Sequence, residues 1–127
     1  MDKILAEISA GELFDKITIL EIKKAKISNK EKLNDIEREL SSLNETVKKF
    51  IPDQSNISKY IDDLKNINLR LWDIEDGKRA AEKNKDFGDN FIELARNVYK
   101  FNDERAKIKL AINISLGSNI KEVKSYE

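Results

Sequence analysis

The chain has 127 residues, of which 24 are Lys or Arg and 24 are Asp or Glu, so its charges sum to zero at pH 7. It contains four Gly and one Pro, about a third of the number typical of this length, which excludes a turn-rich β-sandwich. With 39% apolar residues beside so many charges, the chain is not a disordered tail, and the composition favours a single helical domain over residues 1–127.

The first helix is predicted to begin after Ser9, following a short extended segment. Ser9 and Glu12 have the S-x-x-E spacing of a capping box, in which each residue satisfies a free backbone amide of the other. Ile8 and Leu13 occupy the positions of a hydrophobic staple, so two independent signals place the start here. The helix is expected to run to about Ile27.

The second helix is predicted to begin at a second capping box, formed by Ser28 and Glu31. Its apolar residues follow at intervals of three and four, which gives an uninterrupted a/d seam. Pro52 then ends the helix, because proline lacks an amide and disfavours helix at the residue before it. The seam consists of Leu33, Ile36, Leu40, Leu43, Val47 and Phe50.

Two longer helices are predicted to follow. The third begins near Asn56 or Ser58 and ends in the polar stretch 82–86. Asp86 is the predicted N-cap of the fourth, which ends at Leu116-Gly117 with glycine as the C-terminal cap. Short loops make neighbouring helices antiparallel. The predicted fold is therefore all-α, as an antiparallel four-helix bundle or as paired long helical hairpins, with short extended termini.

The residue types that are missing limit the possible chemistry. Cys and His are both absent, which excludes disulfides, thiolate nucleophiles, imidazole catalysis and the usual zinc sites. No apolar run approaches the ~20 residues of a membrane span, and the acidic N-terminus differs from a signal peptide. The neutral net charge gives no general attraction to nucleic acid. We therefore expect a cytoplasmic protein with no nucleic-acid partner and no membrane partner.

Polar side chains recur at helical spacing on three of the predicted helices. On the fourth helix, the polar residues partly coincide with the apolar face. Because a charge buried without a partner is unfavourable, polar residues on such a face require partners. The three stripes are formed by Glu12 and Asp15, by Asn68, Trp72, Glu75 and Arg79, and by Asn102, Arg105, Lys109 and Asn113.

These stripes have three interpretations. They form a buried network that fixes the register of the helices, they line a site for an anionic or polar ligand such as a sugar phosphate, or they are simply solvated. On the third helix, the simplest interpretation is a half-buried Trp72 beside a Glu75–Arg79 ion pair. Under the ligand hypothesis, the binding residues are Trp72, Arg79, Asn102, Arg105, Lys109 and Asn113.

A metal site is a further alternative. If Glu12 and Asp15 face Glu75 and Asp76, the four carboxylates supply oxygen ligands for Mg²⁺ or Mn²⁺. All-α nucleotide pyrophosphohydrolases use facing carboxylate pairs of this kind, although here the second pair is adjacent in sequence. This alternative predicts a Mg-dependent hydrolase of nucleotide or phosphorylated substrates. Phosphate would be bound by Arg79, Arg105 and Lys109.

The same segments resemble the motifs of a small bacterial all-helical family of unknown function. The resemblance covers nearly the whole chain. Gly77-Lys78 departs from the family's helix-favouring pattern, which puts the continuity of the third helix in question. The matching segments are 9–23 (S-x-G-E-L-x-D-K-I-T-I-L-E-I-K), 71–76 (L-W-x-I-E-D), 102–109 (N-D-x-R-A-x-x-K) with Ile112-Asn113, and the endings Gly117-Ser118 and Lys124-Ser125-Tyr126.

The resemblance implies no established activity. Some members of the family occur beside glycosyltransferase or surface-polysaccharide functions, which suggests a link to those processes. Our leading hypothesis is a non-enzymatic protein that acts through helix-mediated association as a homodimer. The seam from Leu33 to Phe50 motivates it, because this seam is longer than one short neighbouring helix requires. No cofactor is expected, and Mg²⁺ enters only under the hydrolase alternative.

Overall fold

A computed structural model describes residues 1–120 and 123, and it contains four α-helices. No strand occurs in these residues, so the predicted all-α class is confirmed. None of their helices is long and apolar enough to cross a membrane. The family-like ending Lys124-Ser125-Tyr126 lies outside the described residues. The helices are α1 (Ala10–Lys26), α2 (Lys30–Phe50), α3 (Ser58–Lys83) and α4 (Asp89–Leu116).

Helix α1 is the central element of the fold, since it contacts each of the other three helices. Helices α3 and α4 run antiparallel, because Arg70 lies over the ring of Phe101 while Gly77 lies against Leu94. They make the most extensive helix–helix contact of the molecule. The arrangement corresponds to paired helical hairpins, α1–α2 and the longer α3–α4, which meet at α1.

The core lies where α1 meets the other helices. Residues on several faces of α1 are buried, and they include the polar residues Asp15 and Thr18 as well as apolar ones. Burial of each large apolar side chain contributes about 1.5–3 kcal/mol, but a buried polar side chain stabilises only if it has partners. The apolar core cluster consists of Leu13, Phe14, Ile17, Val47, Ile57, Leu64 and Ile112.

The helix caps explain where α1 and α2 begin. Ser9 is the N-cap of α1, and its Oγ accepts a hydrogen bond from the Glu12 amide at 3.1 Å, as predicted. For α2, the predicted cap Ser28 is wrong by one residue. Asn29 is the N-cap, and its Oδ1 accepts from the Lys32 amide at 3.0 Å. Asn and Ser are equally good N-caps. The packing of the helix therefore decides which of the two adjacent residues, Ser28 or Asn29, is the cap.

The predicted start of α4 is also wrong. Gly88, not Asp86, is the N-cap, and the Oδ1 of Asp86 instead accepts a hydrogen bond from the Gly88 amide at 3.2 Å within the turn. The predicted C-terminal cap is confirmed, since Gly117 adopts the left-handed conformation with φ 63°. Helix α3 continues through Gly77 without a break. A glycine there costs only about 1 kcal/mol, which packing against α4 offsets.

The apolar seam of α2 is largely used within the chain. Ile36 and Val47 are buried, and Leu40 and Leu43 pack against the core cluster. Phe50, at the end of the seam, is exposed. The seam therefore does not provide a continuous free surface for a second chain.

Lys85, in the loop between α3 and α4, has a left-handed backbone conformation with φ 53°. A side chain is disfavoured there, whereas glycine adopts the conformation freely. We expect Lys85→Gly to raise the free energy of unfolding by about 0.5–1 kcal/mol in urea denaturation. The control is Lys107→Gly in the interior of α4. This substitution should lower the free energy of unfolding by about 1 kcal/mol. A loss of similar size for both variants would contradict the prediction.

Candidate functional site

Asp15 is the centre of a buried polar cluster between α1, α3 and α4. The residue is 1% exposed. Its Oδ1 accepts hydrogen bonds from Asn68 Nδ2 at 3.0 Å and from Arg105 Nε at 2.8 Å. Its Oδ2 accepts from Arg105 Nη2, so the guanidinium holds the carboxylate through two nitrogens. Bidentate, charge-assisted pairs of this kind are among the strongest hydrogen bonds in proteins.

Asn68 joins α3 to this cluster. Besides Asp15, its Nδ2 donates to Thr18 Oγ1 at 2.9 Å. Thr18 Oγ1 in turn donates to the backbone carbonyl of Asp15, also at 2.9 Å. In the described part of the chain, no buried side-chain nitrogen or oxygen lacks a hydrogen-bond partner. The burial of these polar groups is therefore compensated within the protein.

Lys109 makes a second ionic link between α1 and α4. Its Nζ donates to Glu12 Oε2 at 2.8 Å and lies 3.9 Å from Asp15 Oδ2. Asn102 extends the cluster at the other end, since its Oδ1 accepts from Arg105 Nη1 at 3.4 Å. The cluster thus combines the carboxylates of Glu12 and Asp15 with the cations of Arg105 and Lys109, and Lys16 Nζ also lies 3.7 Å from Glu12 Oε1.

The first turn of α1 is capped by residues from the far end of the chain. The Gly11 amide donates to Asn113 Oδ1 at 2.6 Å, and the Ala10 amide donates to Ser118 Oγ at 3.0 Å. A helix start normally presents such amides to solvent or to an anion. Here the amides of residues 10–12 all have partners within the protein. The start of α1 is therefore not available to bind a phosphate group.

Gly11 allows α1 and α4 to approach closely. A Cβ at this position would overlap the backbone carbonyl oxygen of Lys109 and would lie 2.9 Å from Asn113 Oδ1. Only glycine fits this contact. Gly11, Thr18 and Ser118 were not among the predicted site residues, although all three lie in segments that carry the family resemblance.

The structure brings six of the predicted site residues into this region and leaves four apart. Trp72 is half-buried, whereas Asp76 and Arg79 are exposed. Glu75 is exposed and pairs with Lys78 at 3.5 Å. The prediction had paired Glu75 with Arg79 instead. The six residues of the cluster and its α1 cap are Glu12, Asp15, Asn102, Arg105, Lys109 and Asn113.

The carboxylates of the metal alternative do not assemble. Among the described residues, no group of three or more acidic side chains could hold a metal ion. The physical reason is the placement of Glu75 and Asp76 on an exposed side of α3, while Glu12 and Asp15 bind cations of α4. The first carboxylate pair is thus neutralised by protein side chains.

Asp53, in the exposed loop between α2 and α3, has a perturbed pKa. Hydrogen bonds from the backbone amide and the side chain of Ser55 hold the pKa of this carboxyl below its usual value. The amide bond measures 3.0 Å. The interaction stabilises the turn that leads into α3 and adds nothing to the polar cluster.

The fold and the cluster define an all-α protein of paired helical hairpins that is held together by a buried network of ion pairs and hydrogen bonds. Over residues 4–127 the chain matches the model of a family of unknown function, DUF6165, and it belongs to this family. The predicted membership of a family of unknown function is thus confirmed. No curated protein and no solved structure matches the chain.

Proposed function

We propose that this protein acts through helix-mediated self-association rather than through catalysis. The observation that carries the proposal is the burial pattern of α4. No residue from Asp89 to Ile108 is buried, although this segment contains three aromatic and several aliphatic side chains. An apolar helix face normally packs against a core. A second chain would provide the missing contact.

The composition of the exposed surface supports this proposal. Around the start of α4, Phe87, Ile92 and Tyr99 are 49%, 43% and 55% exposed, respectively. Single exposed apolar residues are common on protein surfaces, but a contiguous group of them is typical of an interaction site. The three residues lie within 13 positions of one another in the sequence, in the loop before α4 and in the first half of that helix.

The polar cluster favours a structural role over a binding role. Arg105 holds Asp15 with two nitrogens, and Lys109 donates to Glu12. An anionic ligand would have to displace a buried carboxylate from the guanidinium. Removing one partner of a buried ion pair is strongly unfavourable, because it leaves the other charge without compensation. The sugar-phosphate alternative is therefore less well supported than the network.

Self-association is tested by sedimentation equilibrium at tens of micromolar protein. We expect a mass clearly above the 14.7 kDa of one chain. Tyr99→Glu should shift the population towards the monomer, because it places a charge in the apolar surface. Asp62→Lys on the exposed side of α3 serves as a control that should leave the mass unchanged. A wild-type chain that remains monomeric would contradict the proposal.

Thermal melts test the ligand alternatives. We expect no change in melting temperature with Mg²⁺, with Mn²⁺, or with a panel of nucleotides and sugar phosphates; the sugars are included because the family resemblance suggests a polysaccharide link. A ligand present at 100 times its dissociation constant would stabilise the protein by about 2.7 kcal/mol, which is readily detected. A reproducible shift with any of these ligands would instead support a binding module or a hydrolase.

A further inference from the structure

The segment that precedes α1 is an unpaired strand, and we refer to its residues 1–8 as the N-terminal arm. Residues 1–9 contain no helix, turn or bend, and Ser9 at their end has the extended dihedral angles φ −74° and ψ 158°. No backbone hydrogen bond joins residues 1–8 to another residue in the part of the chain that the structure describes. A strand with such a row of amides and carbonyls is a template for pairing with a second strand.

The N-terminal arm lies beside an apolar cleft and itself exposes apolar side chains. Ile4 and Leu5 are 81% and 88% exposed. The last residues of the arm form one wall of the cleft, which lies where α1 begins and where α2 and α4 end and has a volume of about 560 Å³. Both the arm and the cleft therefore present apolar surface without an apolar contact. The apolar lining of the cleft includes Ala6, Ile8, Leu13, Phe50, Ile51 and Leu116.

The order of residues along the arm indicates that the second strand is the arm of another copy of the chain. In an antiparallel pair, residues directly opposite each other lie on the same face of the ribbon. A two-fold axis at Leu5 sets Lys3 opposite Glu7 of the partner subunit, and by symmetry this ion pair forms twice. The same axis sets Ile4 opposite Ala6 of the partner subunit. Shifting the register by one residue in either direction removes both ion pairs.

The charged groups of the arm are accessible for this pairing. All residues of the arm are exposed, and Lys3 forms no ion pair with any residue that the structure describes. Asn119 Nδ2 donates to Glu7 Oε1 at 2.6 Å. Because a carboxylate accepts hydrogen bonds through both of its oxygens, Glu7 can bind Asn119 and a lysine at the same time.

We propose that two copies of the chain pair residues 3–7 of their N-terminal arms as antiparallel strands about an axis at Leu5. Ile4 of the partner subunit then lies on the strand face that carries Ala6 and Ile8, which line the cleft. The small side chain of Ala6 leaves room for it to enter. A two-stranded ribbon is marginally stable by itself, so this apolar contact supports a weak association. The contact lies at the opposite end of α4 from the surface proposed above and does not rest on it.

Single cysteines test the pairing, since the chain has no cysteine of its own. Across the axis, the Cβ atoms at position 5 are expected to lie about 4.5–5.5 Å apart, near the separation in a disulfide, whereas those at position 4 are diagonal neighbours about 7–8 Å apart. Under mild oxidation, Leu5→Cys should form linked dimers on the order of tenfold faster than Ile4→Cys, as measured by non-reducing electrophoresis. The two positions are almost equally exposed, so Ile4→Cys is the control for random collision.

A mixture of Ile4→Cys and Ala6→Cys chains tests the register. These positions are directly opposite in the proposed pair, so the mixture should cross-link faster than either variant alone. Equal rates for Leu5→Cys and Ile4→Cys, or a mixture no faster than its components, would overturn the pairing of the arms. Cross-linking traps this weak contact, whereas sedimentation equilibrium of the wild type and of Tyr99→Glu measures association through α4. The failure of one proposal therefore leaves the other standing.

An exchange of charges provides a second test in the Leu5→Cys chain. Adding Lys3→Glu replaces both ion pairs by pairs of carboxylates and should slow the cross-linking severalfold. Adding Glu7→Lys as well makes the charges complementary again and should restore the rate. Lys32→Glu, at the exposed start of α2, changes the net charge equally and should have no effect. A rate that Lys3→Glu leaves unchanged, or that the double exchange fails to restore, would contradict the proposed register.

Discussion

Replacing Asp15 with Asn is expected to lower the free energy of unfolding by about 3 kcal/mol. The substitution keeps the shape of the side chain and its place beside Asn68, but it removes the charge that Arg105 holds with two nitrogens. Because Asp15 is buried, solvent does not replace the lost interaction. Urea denaturation, with the slope of the transition checked against the wild type, measures the loss.

The same substitution at Asp35 is the matched control. Asp35 forms an ion pair with Arg38 at 2.9 Å, but both side chains are more than 70% exposed. Exposed pairs contribute between zero and about 1 kcal/mol, because water and salt screen them. Asp35→Asn should therefore change stability little. Equal losses for the two variants would show that the cluster around Asp15 does not stabilise the fold.

Gly11→Ala is expected to lower the free energy of unfolding by about 2–4 kcal/mol. The added methyl group would collide with the carbonyl oxygen of Lys109, which belongs to a helix backbone and is unable to rotate away. The helices α1 and α4 would have to separate, which would weaken the hydrogen bond between the Gly11 amide and Asn113. The loss occurs even though alanine is a better helix former than glycine by about 1 kcal/mol.

Gly77→Ala provides the control for helix propensity. There, the nearest atoms to an added Cβ are the two terminal methyl carbons of Leu94, at 3.2 and 3.4 Å, which belong to the end of a half-buried side chain and not to a helix backbone. Alanine should therefore stabilise the protein by up to about 1 kcal/mol. The two substitutions are chemically identical and are expected to have opposite signs. A higher free energy of unfolding for both variants would disprove the close contact at Gly11.

The helices were predictable from the sequence because their signals are local. Ser9 and Gly117 act as caps through neighbouring backbone groups. Apolar residues at intervals of three and four directly indicate an α-helix. The errors at Ser28 and Asp86 arose where a second possible capping residue, Asn29 or Gly88, follows within two positions. In such places the choice depends on how the helix packs, which the local sequence does not contain.

The polar cluster was only partly predictable, because it depends on which helix faces meet. The stripes on α1 and α4 were identified, since polar residues at core spacing need partners. Their partner on α3 was assigned to Glu75 and Asp76, whereas the structure supplies Asn68, about two turns earlier. The relative position of two helices is a tertiary property. The close contact at Gly11 has the same origin, since it requires the backbone of Lys109.

The capping of α1 has a consequence for the order in which the chain folds. Asn113 and Ser118 complete the first turn of α1 from 102 and 108 residues away along the chain. During synthesis, α1 is made first and its capping partners last, so it lacks them until about residue 118 has been added. The α3–α4 hairpin involves residues that are close in sequence and can form earlier. Final docking of α1 is therefore expected to be a late event, and a ribosome-bound chain that ends before Asn113 should leave the start of α1 open to proteases.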